Sequence, residues 1–394
     1  MSTSRHLTPT KLFGACAVAL SALVLSACGG GSSDVTPAVA PTTSTALSAS
    51  LAGEQEPAPT ATGALGTGSL TLTLPSRSVA GSISLNGMTA TVAHIHIHIG
   101  TVGVNGPIIA GLTESAPGSG VWNVPTGTML SAEQATAFTD GGLYFNAHSV
   151  ENPTGEIRGQ IGRQVSGASM SGAQEIPANA STASGTGLFS LDPATKKFTA
   201  RMTLTGMTAS VAHIHAGAVG VNGGVLFPLN ETVAGSGVWV SAVDAMLTDA
   251  QLVLLNEGGL YFNAHSAAFP GGEIRGQIGQ LVRLASMNSA QEVPTNASTA
   301  TGQGALTVNP STRAANGSII LTGMTAARAH IHIGAPGVNG PIIVELTDAG
   351  GGRWNVPANT VLTAAQVKAF KQGNLYFNAH STAFPGGEIR GQIR

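Results

Sequence analysis

The sequence predicts an all-β protein built from three tandem β-sandwich or Greek-key barrel domains. Three observations carry that expectation: a composition of strand and turn residues, a set of long motifs that returns with a period near 116 residues, and alternating polar and apolar runs inside each copy. Of 394 residues, 42% are hydrophobic and only 9% are charged, against about 25% charged in an ordinary soluble domain. Threonine, serine, alanine and glycine dominate, which suits strands and turns and excludes a coiled coil or a helical bundle. The net charge is −2 and no basic block is present, so no nucleic-acid partner is expected.

In chain order, the first element is an address. Arg5 and Lys11 precede an apolar run from Leu12 to Leu25, the pattern of a secretory signal. The run falls short of the ~20 residues that a membrane-spanning helix needs. It ends in Leu25-Ser26-Ala27-Cys28-Gly29, which looks like a bacterial lipobox, with cleavage before Cys28 freeing that cysteine for lipidation. An ordinary secretory signal with an incidental cysteine is the alternative. Residues 1–27 are therefore expected to be a lipoprotein signal peptide. Residues 28–46, rich in Gly, Ser, Thr and Pro, read as a flexible tether. Gly29 stands where an aspartate is associated with inner-membrane retention, so the expected location is the outer membrane or cell surface, with the membrane itself a partner through Cys28. Cys16 leaves with the signal, and the mature chain has no cysteine for a disulfide. Each domain must then be held by its own core.

The repeats come next. Leu143-Tyr144-Phe145-Asn146-Ala147-His148-Ser149 returns at Leu260–Ser266 and Leu375–Ser381. Gly155-Glu156-Ile157-Arg158-Gly159-Gln160-Ile161 returns at Gly272–Ile278 and Gly387–Ile393. Gln55-Glu56-Pro57 is answered by Gln174-Glu175-Ile176-Pro177 and Gln291-Glu292-Val293-Pro294. This period is far above the 20–50 residues of solenoid repeats, so the copies are tandem domains, expected at 47–163, 164–281 and 282–394.

Within a copy, Ser69–Leu74 and Gly81–Leu85 alternate polar and apolar residues and predict strands. One short helix is expected at Ser131–Phe138, with equivalents starting at Thr248 and Thr363, each opened by a serine or threonine cap. Trp122, Trp239 and Trp354 recur once per copy and are expected in the core. Asn105-Gly106, Asn222-Gly223 and Asn339-Gly340 signal turns. Glu156, Arg158 and Gln160 share one strand face, where an ion pair or a clamp on a loop is expected.

The chemistry that stands out is histidine. Copy two has His213-Ile214-His215 and His265, and copy three has His330-Ile331-His332 and His380. Copy one has His94-Ile95-His96-Ile97-His98 and His148, a two-residue insertion that leaves open whether His94 with His96, or His96 with His98, is the working pair. Residues i and i+2 share a strand face, so each pair points one way, away from the apolar neighbours. In the later strand, Tyr, Asn and His share the outward face. Two strand histidines and a third from another strand form an open imidazole site for copper or zinc. The candidate ligands are His94, His96, His98, His148, His213, His215, His265, His330, His332 and His380. The competing reading is structural, with the same rings solvated or hydrogen-bonded to loop carbonyls. No available cysteine, serine elbow or paired carboxylates support nucleophilic or acid–base catalysis, so an enzyme is not expected.

Ala-His-Ile-His, Val-Asn-Gly, Leu-Tyr-Phe-Asn-Ala-His-Ser and Gly-Glu-Ile-Arg-Gly-Gln-Ile together resemble the CHRD domain, named after the secreted protein chordin, over about residues 47–394. The resemblance implies an immunoglobulin-like, superoxide-dismutase-like Greek-key fold and an extracytoplasmic setting. The sequence departs from a dismutase in offering three or four histidines per copy, no obvious ligating aspartate and no disulfide, which argues against superoxide dismutation. The resulting expectation is a lipid-anchored, non-catalytic binding or adhesion module for an extracellular protein or matrix partner. The alternative is one copper or zinc ion per domain.

Overall fold

Apolar residues at every second position give each repeat one face to bury, and a curved sheet closing on itself is how these repeats bury it. Strand Phe198–Thr205 shows the pattern along its whole length: Phe198, Ala200, Met202 and Leu204 point inward, and the residues between them point out. The computed structural model describes residues 41–88 and 92–394. His6, the expected signal segment, Cys28 and residues 28–40 of the expected tether lie outside them. Residues 43–46 belong to a paired strand, Thr43–Ala52, whose partners for those four residues are Leu74 back to Thr71.

The second repeat is a closed eight-stranded barrel. In chain order its strands are Gln164–Ser171, Ser184–Leu191, Phe198–Thr205, Val211–Ala216, Val225–Glu231, Val238–Ser241, Leu260–His265 and Ile274–Gln277. Numbered one to eight, they neighbour one another in the order 1-2-3-6-5-4-7-8, and the eighth returns to the first where Arg275 faces Ser171. The first and third repeats keep this order. Their fifth strand is split into Ile108–Gly111 with Thr113–Glu114, and Ile342–Glu345 with Thr347–Gly350. The Leu112 and Leu346 amides between these pieces donate to Ile95 O and Ala329 O, both at 2.9 Å. The two barrels are therefore nearly closed.

A helix precedes the seventh strand in each repeat: Ala132–Thr139, Asp249–Asn256 and Ala364–Lys371. All three open with a reciprocal capping box, Ser131 with Gln134, Thr248 with Gln251 and Thr363 with Gln366. Each barrel has its own core. In the second, Phe189 and Phe198 stack with centroids 4.7 Å apart, and Phe189, Ile214, Phe262 and Ile274 are fully buried. Each such side chain contributes about 1.5–3 kcal/mol of burial. Trp239 and Trp354 join their cores, and Trp122 packs partly buried against its own. Repeats one and three also touch: the buried Glu54 carboxylate pairs with Lys371, and Arg313 Nε donates to Gly63 O at 3.1 Å.

Candidate metal centre

The fourth and seventh strands lie side by side in every barrel, and this pairing joins histidines about 50 residues apart in sequence. In the second repeat His213 faces Asn263 and His215 faces Tyr261, with His265 one step further along. In the third, His330 faces Asn378 and His332 faces Tyr376. In the first, His96 faces Asn146 and His98 faces Tyr144. His96 and His98 thus occupy the positions held by the pairs of the other two repeats, which resolves the ambiguity left by the insertion. The extra length is taken up by an irregularity between Val92 and His94, and His94 sits exposed opposite His148. Three groups result: His96, His98 and His148; His213, His215 and His265; His330, His332 and His380. In each, one nitrogen per ring lies within 4.8 Å of the others. His94 is outside the convergent group.

Hydrogen bonds to carbonyls fix which nitrogen two rings of each trio present. His98, His215 and His332 share Nδ1 with the carbonyls of Gly106, Gly223 and Gly340 at 2.9, 3.0 and 2.9 Å. His148, His265 and His380 do the same with Pro153, Pro270 and Pro385 at 3.1, 3.0 and 3.1 Å. A carbonyl only accepts, so these Nδ1 atoms carry the proton, and in the neutral ring Nε2 is left with a lone pair. The first histidine of each pair turns Nδ1 inward. In repeats one and two the buried inward atoms lack any hydrogen-bond partner: His96 Nδ1, His98 Nε2 and His148 Nε2, and then His213 Nδ1, His215 Nε2 and His265 Nε2. In repeat three His330 Nδ1 meets His380 Nε2 at 3.1 Å, which leaves His332 Nε2 alone. Buried ring nitrogens left without a partner are costly, and a cation at the centre of each trio would remove that cost.

Burial lowers the affinity of these rings for protons, and neighbouring imidazoles add to it at the first histidine of each pair. His96 and His330 are pushed down to about 4, and His98, His148, His213, His215, His332 and His380 are lowered too. The rings so shifted are neutral near pH 7, the state a metal ligand needs.

The outward histidine face is partly covered: His98, His215 and His330 are buried and the other six rings of the trios are half-buried. The loop between the fourth and fifth strands folds over it, held by a buried arginine: Arg158, Arg275 and Arg390 are no more than 2% exposed. Arg158 donates to Thr101 O at 2.8 Å and Val104 O at 3.0 Å. Arg275 donates to Ala218 O at 2.8 Å, and Arg390 to Ala335 O at 3.0 Å and Val338 O at 3.1 Å. Of the two roles expected for this strand face, the structure shows the loop clamp. Glu156 instead accepts from Thr62 at 2.6 Å. Each arginine also lies 3.5 Å above a tyrosine ring, Tyr144, Tyr261 or Tyr376. Those rings stack on His98, His215 and His332 with centroids 4.8, 4.9 and 4.8 Å apart. The tyrosine hydroxyl accepts the amide of the same loop glycine, at 3.0, 3.1 and 3.0 Å.

Sequence reasoning placed this tyrosine on the histidine face without giving it a task, and only the pairing of strands reveals one. It also passed over Glu56, Glu175 and Glu292, whose carboxyls burial pushes up to about 7. Asn263 and Asn378 donate to the latter two at 2.7 Å, tying the Gln-Glu turn to the seventh strand.

The loop glycine is required by space. A Cβ on Gly106, Gly223 or Gly340 would lie 1.6, 1.4 or 1.7 Å from the carbonyl oxygen of Ile99, Ala216 or Ile333. Gly223→Ala is expected to push the loop off His215 and to weaken metal binding at that site about tenfold or more. Titration with zinc checks it; unchanged affinity would show that the Gly223 carbonyl is dispensable.

A family model described as the CHRD domain matches residues 47–161, 166–278 and 284–393. No curated protein and no solved structure matches the chain.

Proposed function

Because the chain belongs to the CHRD-domain family through all three repeats, we propose that it is an exported, non-catalytic binding protein whose repeats each hold one copper or zinc ion. A single observation carries this reading: in each of the three repeats three imidazole nitrogens come within 4.8 Å of one another, two of them on rings whose Nδ1–H is seated on a backbone carbonyl. Three neutral imidazoles suit zinc or copper, and the open fourth position is left to water or another ligand. Oxygen-seeking ions such as magnesium or calcium find no carboxylate in these trios. In the proposed setting the chain hangs from the outer membrane or cell surface by a lipid on Cys28 and sequesters metal outside the cytoplasm. The lipid address rests on the sequence of residues 1–28 alone.

Elemental analysis tests the proposal. The chain from residue 46 onward, stripped with chelator, reloaded with zinc or copper and desalted, is expected to retain about three equivalents. No retained metal would reject it.

A further inference from the structure

The three sites share their trio but differ in what faces its first histidine from the fifth strand. His96 is paired in register with Gly111, His213 with Pro228, and His330 with Glu345. Glycine and proline offer no side-chain acceptor. Glu345 places Oε1 4.0 Å from His330 Nε2, while His330 Nδ1 points inward to His380. In every trio the other two rings already have Nδ1–H seated on a carbonyl. The first ring is the one whose outer nitrogen lacks such a carbonyl seat, and repeat three sets a carboxylate in front of it.

Resting on the metal reading above, we propose that Glu345 is a positioning residue for the third site: with an ion on Nδ1 the His330 proton sits on Nε2, and the carboxylate 4.0 Å away, at ion-pair rather than hydrogen-bond distance, attracts that N–H and makes the inward nitrogen a stronger donor to the ion. The sites of this chain are then unequal by construction. Outer partners of this kind change metal affinity by about 10–100-fold. Glu345 is largely exposed, which places the expected effect at the lower end. The effect is read within one site, because the flanking position also varies, with His94, Val211 and Arg328 facing the third histidine of each trio.

The experiment uses the whole chain with two trios disabled. His98→Ala with His215→Ala leaves the third site, and His215→Ala with His332→Ala leaves the first. Zinc is titrated against a competing chromophoric chelator. Glu345→Gln is expected to weaken the third site about tenfold while the melting temperature of the metal-free chain stays unchanged. Gly111→Glu in the first site is expected to tighten it several-fold; a Cβ there sits 3.9 Å from His96 Cδ2, an ordinary contact. Equal zinc affinity with and without Glu345 would overturn the assignment and leave the metal reading standing. No zinc at either site would overturn both.

Discussion

Alanine at His215 is expected to empty the second site and leave the other two filled, so that retained metal falls from about three equivalents to two. His215 contributes Nε2 from a ring seated on Gly223 O and stacked on Tyr261. Its removal leaves two imidazoles, too few to hold zinc or copper against a chelator. The same loss is expected for His98→Ala in the first repeat and His332→Ala in the third, one equivalent each. His94→Ala is the internal control: it is exposed and outside the convergent group, and the first site should keep its ion. Elemental analysis of the desalted variants reads all four. Retention of three equivalents by the His215 variant would show that the ion sits elsewhere.

Methionine at Arg275 is expected to destabilise the second repeat by about 2–4 kcal/mol and to weaken its metal site at least tenfold. The guanidinium is buried, donates to the loop at Ala218 O and lies on Tyr261, which in turn lies on His215. One substitution therefore removes the clamp on the loop and the backing of a ligand. Arg275→Lys is not expected to rescue either property, because an ammonium can neither spread over the tyrosine ring nor present a planar fork of donors. Denaturant unfolding and zinc titration of the same variant measure the two effects. A stability loss with full affinity would mean that the loop positions nothing at the site.

Much of this was legible from local pattern. Alternation in Phe198–Thr205 and in Leu260–His265 states which residues face inward, and Thr248 with Gln251 announces the helix start. The histidine pairs declare a shared face because the strand period is two. What could not be read are the pairings between distant strands. Which edge meets which, and hence that His265 stands beside His213, is set by closure of the barrel and not by any short segment. The partial covering of the histidine face was hidden for the same reason. Nothing local in Ala218–Asn222 says that it folds over the fourth strand; the acceptors that Arg275 needs decide that. In copy one the insertion made two histidine pairs equivalent in sequence. Only the pairing of His98 with Tyr144, which places it where His215 meets Tyr261, selects between them.

The most direct test of the central claim is the position of the metal. Crystals of the zinc- or copper-reloaded chain, measured at the absorption edge of that element, are expected to show three anomalous peaks. Each should lie about 2.0–2.1 Å from three imidazole nitrogens: His96 Nδ1, His98 Nε2 and His148 Nε2 in the first repeat, with their counterparts in the other two. Peaks at other residues, or none at these three trios, would contradict the account.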